Sequence, residues 1–179
     1  MMGKWVAQRR EGPEPKAGEE RANKKPTPPS YDKVMSKALA LLGKRAHASE
    51  DLRERLGKFC EDAALVGQVL ARLHELAYLD DALFAADYAH SRLRLKPTGR
   101  RQLQQDLRRR KVPPELIEQT LDTLYAGHDE QQDVVRAVEK WTRQRGLPSD
   151  PKERHQLVAH LARRGFRFER IRTALDALR

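Results

Sequence analysis

LRRRKVPPELIEQTLDTL, residues 107–124, sets four consecutive cations ahead of two prolines and then runs into leucines at helical spacing. A related order recurs at residues 161–178, LARRGFRFERIRTALDAL. Placing Leu56, Leu107 and Leu161 in one register exposes a ladder that needs no gaps. Leu52, Leu103 and Leu157 lie four residues before these references. Val66, Ile117 and Ile171 lie ten after, Leu70, Leu121 and Leu175 fourteen after, and Leu73, Leu124 and Leu178 seventeen after. The pattern L-x3-L-x9-[VI]-x3-L-x2-L is thus present three times.

Residues four apart share one face of a helix, and the later three positions form an i, i+4, i+7 stripe on a second helix. A tight turn must lie between. Pro113 and Pro114 suit the first turn of the helix that follows. Gly165 suits the end of the helix that precedes. A further helix precedes each pair. YDKVMSKALALLGKR aligns Met35, Leu39 and Leu42, DDALFAADYAHSRLRL aligns Phe84 and Tyr88, and EQQDVVRAVEKWTRQR aligns Val134, Val138 and Trp141. Ser49 is expected to cap the second helix of the first unit, with Glu50 and Asp51 in its first turn. Asp80 or Asp81 is expected to cap the next unit, and Ser149 to Pro151 to open the helix after it. The expected fold is all-α: three tandem three-helix repeats, residues 31–79, 80–128 and 129–179, forming an elongated, curved helical array. Collapse into one bundle is the less favoured alternative, because the stripes of each unit satisfy one another.

Composition agrees. Charged residues make up 35% of the 179 residues and aromatics 6%. Leu, Ala, Glu, Arg and Lys lose little rotamer freedom in helices, and no sustained apolar alternation predicts a strand. Residues 1–30 hold five of the ten prolines and, beyond the first few residues, almost no apolar content, which predicts a disordered basic tail in which Trp5 is the lone tryptophan. No run is long and apolar enough to span a membrane, and the N-terminus lacks the apolar core of a signal peptide. Cys60 is alone, so no intrachain disulfide forms and a reducing cytoplasm is expected. Without a coiled-coil seam, a monomer is expected.

The net charge of +10 calls for an anionic partner. Cations at a helix end complement its carbonyl dipole, which accounts for part of LRRRKV. It does not account for Arg92, Arg94, Lys96, Arg100, Arg101, Arg108, Arg109, Arg110 and Lys111 against the single acid Asp106, a local charge of +8. The third unit carries Arg163, Arg164, Arg167, Arg170 and Arg172 against Glu169, while the first unit is nearly neutral. If the units stack regularly, these cations form a basic track for phosphates on one side. The aromatics do not interleave with the cations as in a base-stacking platform; of Phe166 and Phe168, one is expected to pack and the other to be exposed.

Catalytic patterns are missing. There is no G-x-x-x-x-G-K-[ST] phosphate loop and no G-x-S-x-G, HELAYLDD lacks the second His of a zinc-protease helix, and His155 and His160 lie on different helix faces. Neither an enzyme nor a cofactor is expected.

AYLDDALFAADYAHSRLRLKPTGRRQLQQDLRRRKV resembles the signature of the RecX family of bacterial recombination regulators: L-D-D, then Phe84, Tyr88, Ser91–Arg92, Gly99, the RRQL helix start and the cationic helix end. ALALLGKRAHASEDLRERL and LVAHLARRGFRFERI resemble its first and last units, so that the likeness covers about residues 32 to 178. Ala77 stands where the family usually has Gly, Leu83 replaces a common charged residue, and Cys60 and Lys111 occupy a turn position where Gly is frequent; Gly165 keeps it. The resemblance implies a modulator of the RecA recombinase that binds the RecA filament on single- or double-stranded DNA and limits its ATPase and strand exchange. The fourteen cations named above are the expected contacts. The rival expectations are a plain DNA- or RNA-binding helical module and a scaffold for acidic partners.

Overall fold

The computed structural model describes residues 28–177; the tail up to residue 27, with Trp5, and the last ladder position, Leu178, lie outside the described residues. Among the described residues there are nine helices and no strand: α1 Tyr31–Leu42, α2 Ser49–Gly57, α3 Ala63–Glu75, α4 Asp81–Leu95, α5 Arg100–Arg109, α6 Pro114–Ala126, α7 Glu130–Arg145, α8 Pro151–Arg163 and α9 Phe168–Asp176. Their main contacts are within α1–α3, within α4–α6 and within α7–α9. Each group surrounds its own apolar cluster, so the protein is an all-α array of successive cores and not a bundle around one centre.

The ladder supplies those cores. Its described positions are all buried except Leu124 and Leu175, which are half-buried against the second and third clusters. The helix before each pair meets them differently than its spacing predicts. In α1 the buried residues are Val34 and Ala38, while Leu39 is 41% exposed. In α4 the centre belongs to Ala85, Ala89 and Leu93, with Phe84 and Tyr88 stacked on the flank at 6.4 Å between ring centroids. Small residues at these crossings let the helices approach closely, which displaces the bulkier stripe to the edge. In α7 Val134, Val138 and Trp141 are buried as expected. Phe166 is buried and Phe168 is 64% exposed.

Three helix ends share one turn. The helices α3, α5 and α8 end with Ala77 (φ 56°), Lys111 (φ 64°) and Gly165 (φ 82°) in the left-handed region. The amide of the following residue then reaches back to the carbonyl of Leu73, Leu107 or Leu161. This is a Schellman turn, which satisfies the last carbonyls of the helix and favours glycine. Cys60, at the equivalent place in the first unit, is not left-handed, and its amide bonds the Leu56 carbonyl instead.

The first junction combines an apolar contact with bonds to a carboxylate, and the second is built on backbone. Ala48, before α2, joins the second apolar cluster. Ser49 is not the cap expected of it: it is the first helical residue, after Ala48, and donates its amide (2.7 Å) and hydroxyl (3.0 Å) to the Asp81 carboxylate of α4. A carboxylate accepts amide hydrogens more strongly than a hydroxyl does, so the tertiary contact replaces the local one. Asp80 meanwhile caps its own helix through the Leu83 amide. At the next junction the Gly99 amide donates to the Arg164 carbonyl at 2.8 Å. A Cβ on Gly99 would lie 2.3 Å from the backbone of Gly165, so only glycine permits this approach.

Two substitutions test these turns. Ala77→Gly should raise stability by about 1 kcal/mol in thermal or urea unfolding, because an L-residue in the left-handed region is strained. Gly99→Ala should cost about 1–3 kcal/mol, since the steric conflict is with backbone; it should also change the scattering profile as the last two units separate.

Candidate functional site

The carboxylate of Asp106, the lone acid of the middle basic stretch, is a buried anchor. It accepts from Gln102 Nε2 at 2.8 Å and Arg92 Nε at 3.3 Å, and lies 3.5 Å from an Arg109 guanidinium nitrogen. Gln102, Asp106 and Arg109 share a flank of α5 because they are spaced i, i+4, i+7. Beside them the Arg110 guanidinium lies 4.1 Å from the Tyr88 ring centroid, a cation–π contact.

The first unit mirrors this arrangement. Asp51 of α2 holds Arg45 and Arg55 at 3.1 Å each and His47 Nδ1 at 2.5 Å. Burial works against its charge, but the hydrogen bonds from Arg55 and His47 more than offset it and keep the carboxyl below its usual pKa. The two anchors face a shared cleft of about 330 Å³, into which Arg45, Arg55, Arg109 and Arg110 project.

Beyond Arg92 the positive surface continues into the third unit. Arg164 donates to the Pro97 carbonyl at 3.3 Å, which sets it beside Lys96. Arg164 above all, then partial burial, Arg92 and Lys140, hold the Lys96 ammonium below the usual lysine range, and Asp106 offsets this only in part. Burial and Arg92 likewise lower Arg164. Burial first, then Arg164, Arg163, Arg145 and Lys96, push His160 below its ordinary 6.5. Like charges are therefore confined together from Arg45 through Arg109 and Arg92 to Arg164, Lys96 and Lys140. Such a surface is relieved by a polyanion, whose phosphates would replace diffuse counterions.

Not every expected cation joins this surface. Arg100 is bridged to Asp122 (2.7 Å) and Glu118 (3.0 Å); burial opposes its charge, but these carboxylates outweigh it and raise its pKa. Lys111 pairs with Glu54 at 2.9 Å across the first junction. Arg94 lies about half a turn of α4 away from Arg92, on the opposite flank. Arg101 and Arg167 line a separate cleft with Phe168. Arg108, Arg170 and Arg172 are exposed, as is Arg163, which nonetheless lies close enough to His160 to add to the crowding there. Sequence reasoning passed over Arg45, Arg55, Lys140 and Arg145, and weighed His160 only as a metal ligand. The first two sit in a nearly neutral segment, and the α7 pair follows an apolar stripe, so charge density did not mark them. Among the described residues no group of three metal-ligating side chains converges, and no helix is long and apolar enough to cross a membrane.

The crowding predicts a titration. By NMR, His160 should titrate below 6.5 at low ionic strength and move upward as added salt screens the neighbouring cations. The folded state disfavours the protonated ring, so this residue's contribution to stability is complete above 6.5 and declines as pH falls through the folded pKa.

Residues 80–121 match the family model described as RecX, second three-helix domain. The regulatory protein RecX of Prosthecochloris aestuarii is 33% identical over 147 residues, spanning 82% of this chain and 93% of its own. That of Chlorobaculum tepidum is 34% identical over 140 residues, spanning 78% and 84%. The crystal structure of RecX from Lactobacillus salivarius superposes with a TM-score of 0.70 over 83% of this chain and 96% of that one; at 18% identity the likeness is one of fold. With relatives identical at a third of positions over most of both chains, the chain belongs to the RecX family.

Proposed function

We propose that this protein regulates the RecA recombinase by binding its filament on DNA, lowering the filament's ATPase, strand-exchange and co-protease activity without chemistry of its own. Its relatives are named regulatory proteins. The observation that carries the reading is the basic surface from Arg45 to Lys140, whose two interior acids, Asp51 and Asp106, are already engaged by cations. A surface of this kind holds phosphates without reading bases. Residues 31–79, 80–128 and 129–179 serve as the three modules, acting as a monomer in the cytoplasm, and their succession lets one molecule meet DNA and neighbouring filament subunits together. Inhibition then requires only that one filament state be bound better than another.

The test is RecA's DNA-dependent ATPase with purified protein added. Inhibition is expected at well below one molecule per RecA subunit. The Lys96→Gln, Lys140→Gln double variant should be as stable as the parent or more so, because it removes mutual repulsion. It should nonetheless bind DNA about tenfold more weakly, with a log–log salt slope shallower by about two. Ordinary salt-dependent DNA binding with no effect on RecA would instead establish a plain nucleic-acid-binding module.

A further inference from the structure

The flank of α4 opposite Tyr88 and Arg92 carries a groove that the basic surface does not use. Ala82, Ala86 and Ala89 on α4 face Leu116, Thr120 and Leu124 on α6 across a cleft of about 220 Å³. A second cleft, of about 480 Å³, shares His90, Thr123 and Leu124 with the first and continues to Arg94, His128 and Arg136 at the start of the third unit. Between Ala82 and Arg94 the groove follows α4 for about 18 Å, at the helical rise of 1.5 Å per residue. The alanines leave room for another backbone, and Leu83, on the same flank as Ala86 and His90, is 59% exposed.

The two ends differ in character. The alanine end is apolar; the other end is cationic. No carboxylate lines either cleft. Asp133 lies behind the cationic end, fully buried, and holds both His128 (2.5 Å) and Arg136. Arg94, in contrast, has no carboxylate within ion-pair distance among the described residues. Two packed helices with small residues along their seam and a basic end are complementary to a third helix that is apolar along one face and acidic in its first turn.

We propose that the α4–α6 groove docks an acidic amphipathic helix of a protein partner, its apolar face over Ala82, Ala86 and Leu124 and its carboxylates at Arg94. The site lies across α4 from the basic surface and needs neither DNA nor RecA, so it stands or falls apart from the regulatory reading. Bound DNA and a docked helix would occupy opposite flanks of one element.

The test uses the full chain and a fluorescein-labelled peptide of about three helical turns, with glutamates in its first turn and leucines along one face. Anisotropy should show binding at least about tenfold tighter than that of the same peptide with lysines in place of the glutamates. Ala86→Gln, which fills the cleft and leaves the core untouched, should weaken binding about tenfold with an unchanged circular dichroism spectrum. Arg94→Glu should reverse the preference between the two peptides. A thymidine oligonucleotide should not displace the acidic peptide. No binding by the parent protein, or displacement by the oligonucleotide, would overturn the proposal. So would equal binding by the Ala86→Gln chain, or a concentration-dependent dimer in sedimentation that the same substitution abolishes, which would make a second copy the occupant.

Discussion

The hydrogen bond from the Gly99 amide to the Arg164 carbonyl joins two helix termini whose surroundings are strongly cationic. On one side the chain has just left α4 through Arg92, Arg94 and Lys96; on the other, α8 ends in Arg163 and Arg164. Glycine at both contact points lets the backbones meet without an intervening side chain. Electrostatics alone would push these segments apart. Short-range backbone bonding, together with the Arg164 contact to the Pro97 carbonyl, holds them at a distance where each cation lowers the pKa of the next. These two contacts bring the third unit's charge up against the second's.

The two anchoring acids follow the same logic. Asp51 and Asp106 reduce the repulsion within the basic surface but do not neutralise it, because each engages more than one cation. Long flexible side chains lose less freedom on meeting a ligand when they are already aimed. A carboxylate that holds arginines by their sides leaves the remaining guanidinium hydrogens free for other partners. Stability is conceded at the surface and recovered in the three leucine cores beneath it, which lie apart from the charges.

The helix α4 divides the molecule's surface. One flank turns Tyr88 and Arg92 toward the basic cleft, and the other turns alanines toward α6. The small residues that displaced Phe84 and Tyr88 from the centre of the second core are continuous with those that leave the α4–α6 seam open. Packing and surface recognition thus draw on one choice of residue size. At the first junction, Asp81 of the same helix caps α2, so the orientation of the first unit also depends on α4.

What the amino-acid order determined by itself is what depends on near neighbours. Helical period, turn chemistry at Pro114 and Gly165, and the thrice-repeated ladder act over a few residues, and they produced the all-α tandem array. The left-handed turn at Ala77 was traceable from the resemblance, which marked that position for glycine. Two kinds of feature were not legible. One is the choice of core stripe in α1, where Val34 and Ala38 displaced Leu39 because fit against α3 outweighs side-chain bulk. The other is the division of the cations: Arg100 and Lys111 are spent on ion pairs, while Arg45, Arg55, Lys140 and Arg145 enter the basic surface from segments whose local charge did not stand out. Coulomb interaction depends on distance in space, and those distances are set only when the three units are locked together through Asp81 and Gly99.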